Sequence, residues 1–147
     1  MRRPKIFWLL LVFILFILPV QGFGEEKEKK HPIDMWLEKC MEKENYTTAG
    51  MLNCSSQALD KWDKELNRVY KELIKKLSPE EKELLKQSQL QWIRFRDAEF
   101  KWIESFYNSR KGTMFPLMEI GDKMHLVSER VKWLEGYLRY LKEIEEK

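Results

Sequence analysis

Apolar residues recur at helical spacing in four segments of the chain, separated by short polar or proline-containing breaks. In the clearest of them Met51, Ser55, Ala58, Leu59, Trp62, Leu66, Val69, Leu73 and Leu77 share one arc of a helical wheel, while Lys61, Lys64, Glu65, Arg68, Lys71 and Lys75 fall opposite. That pattern predicts a core-facing helix, capped by Thr47 or Thr48 and running to about Leu77. Asp63, Asn67, Tyr70 and Ile74 flank the stripe, where polar groups are half buried and need partners. Upstream, Ile33, Trp36, Leu37 and Cys40 mark a short helix opened by Pro32 and joined to the next through a turn at Asn45 to Thr48.

Ser78-Pro79-Glu80-Glu81 combines an N-cap serine, a proline at the first helical position and the glutamate of a capping box, so a third helix starts there. It is expected to run to about Arg110 and to end at Lys111-Gly112. Its apolar arc takes in Leu85, Ser88, Trp92, Phe95, Ile103 and Phe106, with Arg96 and Glu99 inside it; Trp62, Trp92 and Phe95 are the expected core aromatics. If the break is a tight reversal, the second and third helices are antiparallel and Asp63 lies within one turn of Arg96. This register predicts an Asp63 to Arg96 ion pair within a polar seam completed by Asn67, Tyr70 and Gln91.

From Leu117 onward Leu117, Ile120, Met124, Val127, Val131, Leu134, Leu138 and Leu141 step alternately by three and four, a sustained seven-residue repeat. A long closing helix over the second face of the hairpin is the principal reading, and a self-associating coiled coil is the competing one. The expected fold is all-α: an antiparallel helical hairpin, a short disulfide-tethered N-terminal helix and a long C-terminal helix packed on the hairpin.

Composition changes this picture mainly at the N-terminus. A basic start, MRRPK, precedes the apolar run IFWLLLVFILFILPV, which is short for a membrane span. Residues 1–22 therefore read as a signal peptide, 23–31 as a disordered mature N-terminus and 32–147 as a single helical domain. An uncut leader, the alternative, is the one route by which the chain would meet a membrane. Removing Arg2, Arg3 and Lys5 lowers the 27 basic residues to 24, equal to the 24 acidic ones. A neutral, mixed surface argues against nucleic acid as a partner. The two cysteines, Cys40 and Cys54, are most simply one disulfide in an exported, periplasmic or extracellular protein.

No catalytic, cofactor-binding or metal-ligating constellation emerges, and an enzyme is not expected. His31 and His125, the two histidines, sit in no cysteine or carboxylate cluster along the sequence. Asp63 has the residue type of a glycosidase acid, but its arginine partner would hold it ionised.

The ordered set Cys40, Met51, Cys54, Trp62-Asp63, Leu66-Asn67, Tyr70, Leu84, Gln91-Trp92, Arg96-Asp97, Ser128-Glu129-Arg130 and Leu134 resembles the LprI-like lysozyme-inhibitor domain family of small exported bacterial helical proteins. The similarity spans about residues 36–138. Family members commonly carry a further cysteine shortly after the Arg-Asp pair, where this chain has Phe100, and its partner in the C-terminal part is also missing here. The resemblance implies protein binding to a lysozyme through residues the motifs do not identify. The alternative is an envelope structural or assembly protein that oligomerises through its C-terminal helix without binding lysozyme.

Overall fold

The computed structural model describes residues 30–146, which form four helices in the order α1 (Pro32–Lys43), α2 (Thr48–Lys76), α3 (Pro79–Asn108) and α4 (Phe115–Glu145). The expected signal peptide and most of the expected disordered stretch lie outside these residues. His31, assigned to that stretch, instead caps α1: its Nδ1 accepts the Ile33 N–H at 3.2 Å. Thr47 caps α2 by accepting the Gly50 N–H at 3.1 Å, and the capping box at Ser78 and Glu81 is formed in full.

Between α1 and α2 the chain turns through Asn45 (φ 49°) and Tyr46 (φ 53°), both left-handed. The turn is so tight that a Cβ at position 50 would collide with the Glu44 side chain, so Gly50 is required by close approach. Cys40 and Cys54 are bonded across it, with Cα atoms 5.8 Å apart.

Side-chain pairs fix the helix directions. Lys76 near the end of α2 pairs with Glu145 at the end of α4, and Lys132 lies over the Trp62 ring at 6.0 Å, so α2 and α4 run parallel. Arg96 faces Asp63, Arg130 bonds Gln89 and Tyr107 bonds Asp122, so α3 runs antiparallel to both. The core is the α2–α4 interface, where Trp62, Leu66, Val69 and Leu73 meet Val127, Val131, Leu134 and Leu138. Each such burial stabilises by roughly 1.5–3 kcal/mol. The stripe of the last helix from Met124 to Leu141 is thus packed in the core with α2 of the same chain.

α4, rather than α3, is the principal packing neighbour of α2. α3 meets this core through the partly buried Leu85, Trp92 and Phe100. The buried side of α3 is also rotated from the expected arc. Gln89 and Tyr107 are its buried residues, while Phe95 is 51% exposed and is not a core aromatic. The other two expected core aromatics do face inward: Trp62 is fully buried and Trp92 packs against the core from its edge. Phe100 also packs against the core.

Candidate interaction surface

The polar residues on the facing sides of α2 and α3 are only partly brought together. Arg96 Nη1 stands 3.7 Å from Asp63 Oδ1, but its Nη2 and Nε hold Asp97 at 2.7 and 3.0 Å. The pair is half exposed, with the side chains 23% and 44% accessible. Burial raises the Asp63 carboxyl above the usual carboxylate range, against the lowering by Arg96, and Asp60 and Asp97 push the same way as burial. The expected Asp63 to Arg96 pair is thus present but long, and burial outweighs Arg96 in setting the direction of the Asp63 pKa.

Asn67 donates to the Asp63 carbonyl of its own helix at 2.9 Å. Tyr70 lies against the core, Gln91 is exposed, and neither side chain takes part in a hydrogen bond among the described residues. The expected seam reduces to one loose ion pair, because α3 stands away from α2 and turns Gln91 outward.

Two other polar ties join α3 to α4. Arg130 donates to Gln89 Oε1 at 3.1 Å and to Ser88 Oγ at 3.2 Å, with its guanidinium 5.8 Å from the Trp92 ring. Burial lowers the Arg130 pKa, opposed by Tyr137 nearby. Toward the other end of the interface Tyr107 donates to Asp122 at 2.7 Å. Arg130 stood within the Ser128-Glu129-Arg130 motif, so the sequence signalled it; nothing in the wheel singled out Gln89 or Tyr107.

The fold also places His31 in a carboxylate cluster that was invisible along the chain. Its Nε2 is 3.4 Å from Glu135 Oε1, and the ligand-type atoms of His31, Glu65 and Glu135 lie within 4.8 Å of one another. A zinc ion could in principle draw on these three donors. However, Nδ1 already accepts the Ile33 N–H, which puts the ring proton on Nε2, facing the carboxylates. A metal on Nε2 would move that proton to Nδ1, against the Ile33 N–H, and break the α1 cap. Glu65 is moreover held by Nε and Nη2 of Arg68, whose hydrogen bonding keeps the Glu65 pKa below the usual range against the opposing effect of burial. The donor set fits a polar clasp between α1, α2 and α4 better than a metal centre.

Large apolar side chains remain on the surface in two rows. Leu84, Phe95, Trp102 and Phe106 mark one side of α3, and Trp133, Tyr137, Tyr140 and Ile144 mark one side of α4. No described helix is long and apolar enough to cross a membrane. These rows, with the loops at the helix ends, are the surface available to a protein partner.

A protein-family model described as lysozyme inhibitor LprI matches residues 40–134, from the first disulfide cysteine to the buried Leu134. No protein of curated function matches the chain. Among solved structures, the crystal structure of an uncharacterized protein from Burkholderia thailandensis matches with a TM-score of 0.72 at 24% identity, over 78% of this chain. The match takes in 56% of that protein's length. At this identity the likeness concerns the fold.

Proposed function

This chain belongs to the LprI lysozyme inhibitor family, and from that membership we propose that it is an exported helical protein that binds a lysozyme and blocks it without performing chemistry of its own. The family match over residues 40–134 carries the reading. Export is supported by the signal-like leader and by the Cys40–Cys54 bond, since disulfides persist in oxidising compartments. Protein contact, as opposed to small-molecule binding, is supported by the exposed aromatic rows on α3 and α4.

The test is a cell-wall lysis assay in which purified mature protein is mixed with c-type and g-type lysozymes. Dose-dependent slowing of one class at micromolar protein is the expected result. Undiminished lysis by both classes at large molar excess would overturn the proposal.

A further inference from the structure

We propose that the inhibitor meets lysozyme with one end of the bundle, the end formed by the α1–α2 turn and the α3–α4 loop, and that Lys111 enters the acidic cleft there; this rests on the function proposed above. The parallel course of α2 and α4 pairs Lys76 with Glu145, and the same offset sets the start of α2 level with the start of α4. The α1–α2 turn and the α3–α4 loop therefore project from the same end.

That end is distinguished by its backbone. Asn45, Tyr46 and Gly112 are the residues with left-handed φ among those described, and all three lie there. Glycine adopts this conformation freely, but a tyrosine does not, and the ring of Tyr46 is 58% exposed, so core packing does not account for its placement. Strain held without a packing reason is a feature of functional surfaces. The disulfide and the tight approach at Gly50 fix the turn that presents this ring.

Charge supplies the partner. The loop Ser109 to Met114 carries two cations and no anion. Arg110 is folded back, its guanidinium 3.5 Å from the centre of the Phe106 ring and donating to the Phe106 carbonyl and the Ser109 hydroxyl. Lys111 is exposed and forms no ion pair among the described residues. Met114 in the same loop is also exposed, at 53% accessibility. On the neighbouring turn Glu42 and Glu44 flank Lys43, so the positive excess belongs to the α3–α4 loop. Lysozymes cut with a pair of carboxyl groups flanking the scissile bond in a concave cleft. A projecting loop with a net positive charge, the exposed and unpaired ammonium of Lys111 and the exposed Met114 beside it complements such a cleft in charge.

The experiment compares the full mature protein with Lys111→Glu, Tyr46→Gly and, as a charge control away from this end, Lys71→Glu, in the lysis assay and in direct binding to the same lysozyme. Glycine suits the left-handed position, so Tyr46→Gly keeps the turn while removing the ring. Lys111→Glu is expected to weaken inhibition at least tenfold, Tyr46→Gly severalfold, and Lys71→Glu not at all, with thermal unfolding unchanged for Lys111→Glu. Wild-type inhibition with both loop variants within twofold of it would overturn the assignment of this end while leaving the function intact. Failure of the wild-type protein itself would overturn the function instead. Vesicles containing anionic lipid provide the remaining arm: if Lys111→Glu abolishes vesicle binding but leaves lysozyme binding untouched, the tip is a membrane contact and the proposal is wrong.

Discussion

The imidazole of His31 stacks on the buried indole of Trp62 with ring centroids 4.3 Å apart, while its two nitrogens face the Ile33 N–H and the Glu135 carboxylate. One side chain thus caps α1, covers the largest fully buried residue of the core and joins α1 to α4. His31→Ala is expected to cost about 1–2 kcal/mol, the range for loss of a helix cap, with altered Trp62 fluorescence in the native state. Because the ring proton is held on Nε2, zinc added to the wild-type protein should leave the unfolding midpoint unchanged. A midpoint that rises with zinc and falls with chelator would show instead that the three donors hold an ion.

Reduction separates two levels of the structure. The Cys40–Cys54 bond closes a short loop, worth about 3 kcal/mol in the chain-entropy model, and it anchors α1, which contributes no fully buried residue of its own. The α2–α4 core lies outside that loop. Replacing both cysteines by serine should lower the unfolding midpoint markedly while preserving most of the helical signal below the transition, with amide exchange accelerated in α1 and at the start of α2. Uniform acceleration through α4 would contradict this division.

Asp63 and Arg96 bear on how far the chain could be read in advance. Counting outward from the Ser78-Pro79 break brought this pair together correctly, because a tight reversal between long helices leaves little freedom in level. The core stripes of α2 and α4 were equally legible, since each helix carries one arc of aliphatic residues with lysines opposite or a regular repeat. α3 was not legible in the same way: Leu84, Leu85, Trp92, Phe95, Phe100, Trp102, Ile103 and Phe106 cover a wide part of its circumference, so the wheel could not locate the centre of the buried face. The clasp of His31 with Glu65 and Glu135 depends on the parallel packing of α2 and α4, which no local pattern encodes.

The looseness of Asp63 and Arg96 has a measurable consequence. A half-exposed pair at 3.7 Å should show a coupling of about 1 kcal/mol or less in a double-mutant cycle. The pH dependence has a definite sign. Burial, the dominant effect, raises the Asp63 pKa in the folded state, so between the unfolded and folded pKa values the folded protein binds more protons and stability falls as pH rises. Asp63→Asn removes that penalty, so at neutral pH it should be neutral or mildly stabilising, and its advantage should vanish in acid below the unfolded carboxylate range. A variant that loses stability at neutral pH and recovers it in acid would show that the arginine dominates after all.

The rotation of α3 can be tested by pairing two aromatics one turn apart. Trp92 packs against the core, whereas Phe95 faces solvent. Trp92→Ala should cost about 3 kcal/mol or more, discounted if the edge position lets the site collapse, and Phe95→Ser should stay within about 0.5 kcal/mol of wild type. Urea titrations of both variants decide the matter, and equal losses would restore the arc centred on Phe95.

The stripe on α4 distinguishes a self-sufficient fold from one completed by a second copy. Val127, Val131, Leu134 and Leu138 are buried against α2 of the same chain, so their stabilisation is unimolecular. Leu134→Ala should cost about 2–5 kcal/mol, and the urea midpoints of wild type and variant should be independent of protein concentration over two decades. If the stripe served a partner chain instead, the midpoint would rise with concentration and the loss at Leu134 would shrink as the protein was diluted to monomer. The contrast is clean because Trp133, the next residue along, projects to solvent: Trp133→Ser should leave the midpoint nearly unchanged, whereas a dimer closed through the outer row would lose stability there and keep it at Leu134.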